Sequence, residues 1–488
     1  MLSVDFNKKY IMETIRKVAI FKINEQNYIA FHFPTFTMLR VEEKNINAFK
    51  LLLEESSNDE EIAHNCNLEI SYIKELKEQI PKEFYSEELF ENDHQTQISQ
   101  LTFLCSTNCN LRCKYCYAQD GSYEYPAENM PPETAEKTIE FFVDKYKNIA
   151  SVLFFGGEAL LNFEMIKAAV EKFKNLHLQG KISEIPRYSL ISNGTLLNDE
   201  IIEYLSLNKF SLTISIDGNK IINDKLRIFP NGKGTFDVIL NNILKIKKNY
   251  PNINIAWEST FTNVHESLGM TVEDVNNTLK EITGIEEGMI IPAIKSDHTN
   301  FEPNLKEVKK DLKKMFHDDW QNVYEGKRIN DVDFLGTIVK FMDKSSSRYM
   351  CAMGFFLFSI APNGDIFPCH MLTSGKKPDF FIGNINDDKD HLFSNIQKMS
   401  DKLKTYDKAK NSNCNNCFAA GFCGFCPAIH ILENDFKVTE QYEDTCKLVQ
   451  NQVKDFLFRM AEIRLDENKW NNLLKSVDIS FTENTIVC

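Results

Sequence analysis

Cys109, Cys113 and Cys116 lie in CNLRCKYC, a CxxxCxxC spacing that follows an apolar run at 101–104. Three thiolates on one tight loop can bind three irons of a [4Fe–4S] cluster and leave the fourth iron without a protein ligand, open to chemistry. A zinc site is the rival reading, although zinc normally takes four ligands. A chance scatter of cysteines is the third.

At 488 residues the chain has room for about two to four compact units. Its net charge of −14 disfavours a nucleic-acid backbone as the main partner. The N-terminal stretch MLSVDFNKKYIMETIRKV is mixed and charged rather than signal-like, and no apolar run approaches membrane-spanning length. These features predict a cytoplasmic protein with no nucleic-acid and no membrane partner. Of thirteen cysteines, ten cluster at 109–116, 351–369 and 414–446 and then read as reduced metal ligands rather than disulfides.

Residues 1–85 form one unit by pattern. Strands are expected at 18–23, 28–33 and 36–41, with the polar stretch 24–27 as a hairpin turn. Helices are expected at 43–55, with Ile46, Phe49, Leu52 and Leu53 on one face, at 59–65, and at 71–79 with Ser71 as cap. Strands followed by short helices predict a winged helix-turn-helix. Its acidic residues outnumber its basic ones and no Lys/Arg stripe marks a recognition helix, which disfavours DNA. Residues 86–97 are polar and acidic and read as a linker.

From Ile98 onward, strand and helix patterns alternate, with strands expected at 98–104, 151–155, 187–192, 210–216, 253–261 and 288–292. Between them Ile139, Phe142, Val143 and Tyr146 share one helical face, and Phe163, Ile166, Val170 and Phe173 another. Six such units predict an α/β fold over 98–300, a partial (β/α)6 TIM-like barrel of parallel strands with active groups at the strands' C-terminal ends. Gly156-Gly157-Glu158, Ser192-Asn193-Gly194 and Ser215-Ile216-Asp217-Gly218 fall at such ends. Glycines there admit close backbone approach, a carboxylate can hold an ammonium, and Arg227 suits a carboxylate. Asn-Gly and Asp-Gly are also ordinary turns. Residues 301–343 are charged and helical in pattern, a bridge. Residues 344–450 carry Cys351, Cys369, Cys414, Cys417, Cys423, Cys426 and Cys446, and 451–488 reads as a C-terminal tail. Cys66, Cys105 and Cys488 receive no role.

CNLRCKYCY, Gly156-Gly157-Glu158, Ser192-Asn193-Gly194-Thr195, Ser215-Ile216-Asp217-Gly218 and Asp224 with Arg227 together resemble the signature of the radical S-adenosylmethionine (radical SAM) superfamily. The later cysteines resemble the SPASM domain, which carries two auxiliary iron–sulfur clusters in peptide- and protein-modifying members. The resemblance covers about residues 98–450. It implies S-adenosyl-L-methionine (SAM) and three [4Fe–4S] clusters, one of them SAM-binding on Cys109, Cys113 and Cys116 and two auxiliary. It also implies that Gly156, Gly157 and Glu158 receive the methionyl amino group and that Tyr115 lies near the adenine. Ser192, Asn193, Ser215 and Asp217 would meet the ribose hydroxyls and the methionyl carboxylate, with Arg227 as that carboxylate's partner.

By family pattern Cys414, Cys417, Cys423 and Cys446 complete one auxiliary cluster, and Cys351, Cys369 and Cys426 leave the other short of a thiolate. A substrate cysteine or a non-cysteine protein ligand can fill that place. A zinc ribbon built from the two CxxC pairs is the rival. The chain departs from the family at Ala159, where Pro is usual, and at Asn223, where His is common. Only two residues separate Cys423 from Cys426 instead of three, and KSSSRYM before Cys351 lacks a further cysteine.

Residues 1–85 resemble the N-terminal peptide-recognition domain of enzymes that modify ribosomally made peptides, where a leader peptide adds a strand to a sheet edge. A unit that merely packs on the barrel is the plain alternative. The resemblances imply a maturase in which the reduced cluster splits SAM and the 5′-deoxyadenosyl radical takes a hydrogen from a precursor peptide, so that a Cys sulfur joins a carbon as a thioether. The implied partners are that precursor peptide, with its leader sequence, and a small electron-donor protein such as flavodoxin or ferredoxin. A carbon–carbon cross-link, an epimerisation and formylglycine formation in a sulfatase are other outcomes on the same scaffold. A peptide-binding or iron-sensing module is the non-enzymatic reading.

Overall fold

A computed structural model describes residues 12–55, 57–86, 97–294, 299–376, 378–434, 436–439 and 443–483. The chain begins with β1 (Met12–Ile15), β2 (Val18–Asn24), β3 (Asn27–His32) and β4 (Thr37–Glu42), an antiparallel sheet in that order. The β2–β3 turn is held by Asn24 Oδ1, which accepts from the Gln26 N–H at 2.9 Å and from Asn27 Nδ2 at 3.0 Å. Three helices follow: α1 (Ile46–Glu54), α2 (Asp59–Cys66) with Asn58 and Glu61 as a capping box, and α3 (Ile70–Gln79).

Alternation along the strands gives this sheet two apolar faces. Val18, Ile20, Ala30 and Val41 pack under α1–α3 with Phe49, Leu53 and Ile73. Ala19, Phe21, Phe31 and Phe33 meet Trp320, Phe334, Phe341 and Phe456 from distant parts of the chain. The winged helix-turn-helix expected here is not established: the unit is mainly a four-stranded antiparallel sheet. The expected linker lies almost wholly outside the described residues.

The second sheet holds six parallel strands: β5 (Gln100–Ser106), β6 (Ser151–Gly156), β7 (Arg187–Ser192), β8 (Ser211–Ser215), β9 (Asn254–Phe261) and β10 (Gly288–Pro292). Helices α4 (Pro132–Tyr146), α5 (Phe163–Leu178), α6 (Asp199–Leu207), α7 (Lys220–Leu226), α8 (Phe236–Asn249), α9 (Asn263–Ser267) and α10 (Val272–Thr283) link them. Phe103, Phe154, Leu190, Ile214 and Trp257 of successive strands join the helices in one core.

The sheet does not end with β5. β11 (Leu357–Ile360) pairs parallel with β5, and β12 (Asp365–Phe367) and β13 (Gly383–Asn384) extend it antiparallel to nine strands among the described residues. The cysteine-rich region is thus built onto the edge of the α/β sheet.

The expected bridge contains α11 (Leu305–Glu325) and α12 (Val332–Met342), and the cysteine-rich region contains α13 (Lys389–Lys402), α14 (Ser412–Asn415) and α15 (Pro427–Glu433). As far as residue 483 the segment 451–488 is no tail: α16 (Glu443–Arg464) runs into it and α17 (Glu467–Glu483) follows. Val453, Phe456, Leu457, Met460 and Ile463 repeat at helical spacing and share a core with Trp320 and the N-terminal sheet. Cys488 lies outside the described residues.

Candidate functional site

The loop carrying Cys109, Cys113 and Cys116 leaves the C-terminal end of β5 and is bonded along the segment after α7. The Arg112 N–H donates to Ile228 O at 2.7 Å and the Lys114 N–H to Leu226 O at 3.0 Å, which brings Arg227 against the cysteines. Arg112 Nη1 ties the loop to itself through Cys109 O at 2.8 Å and Leu111 O at 2.7 Å.

On the other side the turn after β6 presses on the loop, with the Gly157 N–H donating to Ser106 O at 2.8 Å and the Glu158 N–H to Asn108 O at 3.0 Å. A Cβ on Gly156, whose φ is +130°, would stand 2.5 Å from Ser106 O, and one on Gly157 would stand 2.3 Å from Asn108 O. These glycines therefore admit the cysteine loop's own backbone. Gly157→Ala should displace Asn108 and Cys109 at an overpacking cost of about 1–3 kcal/mol. The expected result is less iron per chain after reconstitution than in wild type.

Glu158 is 2 % exposed. Its Oε1 accepts from the Leu160 N–H at 3.0 Å and Ser192 Oγ at 2.8 Å, and its Oε2 from the Asn193 N–H at 2.8 Å. Burial raises its pKa, against the lowering pull of these donors and of Arg227. Asn193 Nδ2 donates to Asn110 Oδ1 at 2.8 Å and lies 3.9 Å from Cys109 Sγ. Glu158, Ser192 and Asn193 thus join the ends of β6 and β7 to the cysteine loop.

A second set gathers at the end of β8. Arg227 Nη1 donates to Tyr115 Oη at 2.6 Å, and that hydroxyl donates to Asp217 Oδ2 at 2.6 Å. Asp217 Oδ1 accepts from the Thr260 N–H at 3.1 Å and lies 3.9 Å from Arg227 Nη1. Burial raises Tyr115 well above its ordinary pKa, so the phenol stays protonated and can donate. Burial also opposes the Arg227 charge, but Cys113, Tyr115 and Asp217 outweigh it and hold the guanidinium ionised.

Asn223, where the family often has His, is fully buried. Its Oδ1 accepts from the Asp217 N–H at 3.3 Å and its Nδ2 donates to Thr235 Oγ1 at 3.1 Å, which makes it a strut for the Asp217 turn. Asp224 Oδ1 accepts from the Phe236 N–H at 2.8 Å, at the start of α8.

Ser215 pairs in register with Glu258 of β9, which pairs in turn with Met289 of β10. By alternation these side chains take the face opposite Trp257 and the helices. Burial raises Glu258, with Arg227 opposing and Asp217 reinforcing the shift. The fully buried His265 accepts the Thr262 N–H at Nδ1 at 3.0 Å and donates from Nε2 to Asp217 O at 2.7 Å, fixing the same turn. Neither residue stands out in sequence, apart from one acid inside the apolar strand at 253–261.

The donor set suits an anionic cluster. The Leu111 N–H points at Cys109 Sγ at 3.4 Å, and the backbone N–H groups of Ala118, Gly121 and Asp120 bond Cys116. Such N–H bonds stabilise a ligating thiolate. Burial pushes the thiols up, Cys109 to about 11 and Cys113 to about 12. Arg227 Nε is buried with no hydrogen-bond partner, as a guanidinium awaiting a carboxylate would be.

The remaining cysteines fall into two sets. Cys414, Cys417, Cys423 and Cys446 act on one another electrostatically, and Cys351, Cys369 and Cys426 form a separate group. Cys423 and Cys426, only two residues apart, face different sets. Backbone N–H groups of Ala352 and Met353 bond Cys351, and those of Met371 and Leu372 bond Cys369. Met371 Sδ lies 4.0 Å from Cys426 Sγ, and His370 Nδ1 lies 3.9 Å from Cys369 Sγ. The ring of His370 lies 5.0 Å from that of Phe155 on β6, and Tyr117 senses Cys116, Cys369 and Glu258 together. Cys369 therefore lies toward the first loop, across Phe155 and Tyr117.

Residues 103–282 match the radical SAM superfamily, and residues 351–418 match an iron–sulfur cluster-binding domain. A cysteine-type anaerobic sulfatase-maturating enzyme of Clostridium novyi is 25% identical over 333 residues, 66% of this chain and 85% of its own. The sporulation killing factor maturation protein SkfB of Bacillus subtilis is 25% identical over 320 residues, 64% of this chain and 68% of its own. Among solved structures, histidine-tagged anSMEcpe with bound AdoMet has a TM-score of 0.60 at 20% identity, covering 78% of this chain and 98% of that one, a likeness of fold.

Proposed function

Because this chain belongs to the radical SAM superfamily and carries its SPASM iron–sulfur domain, an enzyme for modifying peptides or proteins, we propose that it forms thioether links from cysteines of a ribosomally made precursor peptide. Supporting this reading is one observation above all: Cys351, Cys369 and Cys426 form a three-thiol set whose Cys369 lies toward the first loop across Phe155, so a cluster there would have a place for a substrate thiolate. When bound, SAM and the clusters would supply the radical chemistry, hydrogen-atom abstraction from the peptide and one-electron transfer.

The chain's own residues bind and orient. Cys109, Cys113 and Cys116 hold the first cluster, Glu158 takes the SAM ammonium on the acceptor capacity its three donors leave, and Arg227 takes the carboxylate through Nε. The Tyr115–Asp217–Arg227 chain keeps that guanidinium in place. The outer edge of β4 accepts a leader strand. A small electron-donor protein such as flavodoxin or ferredoxin supplies reductant, and the reducing cytoplasm suits the thiolate ligands. Among the described residues no helix is long and apolar enough to cross a membrane.

The test is a precursor peptide incubated with reconstituted enzyme, SAM and reductant. The expected product has lost about two hydrogens per link, one C–H and one S–H becoming C–S, and its cysteines resist alkylation. An unchanged peptide mass would sink the reading. Sulfatase-type maturation is the second reading, favoured by the Clostridium novyi relative; its mark would be loss of sulfur from the modified cysteine.

A further inference from the structure

Lys408 lies in the turn before α14 with no solvent exposure. Its Nζ donates to Ala420 O at 2.7 Å and Cys423 O at 2.8 Å, both in the loop that joins Cys417 to Cys423. Carbonyl dipoles satisfy the ammonium's protons but leave its charge, which is costly in a buried place without a nearby anion. The adjacent Asp407 carboxylate is occupied by the Arg348 fork, at 2.9 and 2.8 Å. The thiols of Cys423, Cys414 and Cys417 are among the groups acting on Lys408. Lys340 of α12 also acts on Cys423, but it is exposed, where water screens it.

We propose that Lys408 is a built-in countercation for the auxiliary cluster held by Cys414, Cys417, Cys423 and Cys446, one that raises the cluster's reduction potential while fixing its loop. This rests on the reading that those four thiolates hold an iron–sulfur cluster. Four thiolates leave such a cluster anionic, and reduction adds a further negative charge; a fixed ammonium at short range in a low-dielectric site offsets it. Lys408 is thus a positioning residue that acts through the cluster.

The loop has a second support. Ala419, Ala420 and Phe422 pack with Phe31, Phe36 and Phe456, and the ring centroids of Phe36 and Phe422 are 4.6 Å apart. Removing the charge while keeping the stem therefore leaves the loop packed.

The experiment uses the full chain, reconstituted anaerobically, as wild type, Lys408→Met and Lys408→Arg. The double variant Cys414→Ala/Cys417→Ala identifies this cluster's signal. Iron per chain and an EPR-monitored redox titration are measured. Lys408→Met is expected to keep about twelve irons, as three [4Fe–4S] clusters require, and to shift this one midpoint to more negative potential. Lys408→Arg is expected to restore it. An unshifted midpoint in Lys408→Met with full iron would overturn the proposal. So would loss of this cluster in Lys408→Met that Lys408→Arg does not repair, which would leave Lys408 a backbone clamp. Wild type with zinc in place of these irons would overturn the cluster reading beneath, and the proposal with it.

Discussion

Cys113→Ala is expected to form no 5′-deoxyadenosine and to hold about four irons fewer per chain than wild type, with the auxiliary irons retained. Cys113 sits where the loop bonds to the segment carrying Arg227, and its thiol is pushed by burial to about 12. Two thiolates cannot replace three at a site that already leaves one iron open, so no partial activity is expected. The same burial predicts a pH dependence. Metal-free, the Cys109 and Cys113 thiols hold their protons to about 11 and 12, above their ordinary value near 9. The folded protein then binds more protons than the unfolded chain between about pH 9 and pH 12. The stability they lend the metal-free protein is full below pH 9 and lost as pH rises through 12. Cluster loading releases those protons. Calorimetry should therefore show the melting temperature of the metal-free protein falling between about pH 9 and 12, and that of the loaded protein falling less.

Legibility followed the range of the signal. The six parallel strands were readable because each is a short apolar run between amphipathic helices, and SVLFF or SLTIS states its own conformation locally. The pairing of β11 with β5 was not, since FLFSI carries no mark of which edge it joins. For the same reason 451–488 read as a tail: the partners of Phe456 and Leu473 are Trp320 and the N-terminal sheet, more than a hundred residues away. In the N-terminal unit the strands and helices were legible, but β1 and the covered second face were not. At the site, residue types and order were legible while their division of labour was not. Gly157 looked like a ligand contact, yet its missing Cβ makes room for Asn108 O. Glu258, His265 and Lys408 have roles set by what surrounds them, which a linear pattern does not contain.

Glu158→Ala is expected to do more than weaken SAM binding, the outcome that sequence suggests. It removes the acceptor from the Leu160 and Asn193 N–H groups and from Ser192 Oγ, three donors in a place where the glutamate is 2 % exposed. Each buried donor left unpaired costs about 1–3 kcal/mol, so several degrees of melting temperature should be lost. Asn193 also steadies Asn110 beside Cys109, so iron at the first cluster should fall as well. Glu158→Gln separates the two roles. It keeps the volume and one acceptor oxygen but gives up the negative charge, so the cluster should load while SAM binds more weakly. A charge-assisted bond contributes about 1.5–3 kcal/mol, which corresponds to roughly a 10- to 100-fold loss of SAM affinity by equilibrium dialysis. Wild-type affinity in Glu158→Gln would mean that the carboxylate serves the protein's own backbone and that the SAM ammonium is held elsewhere.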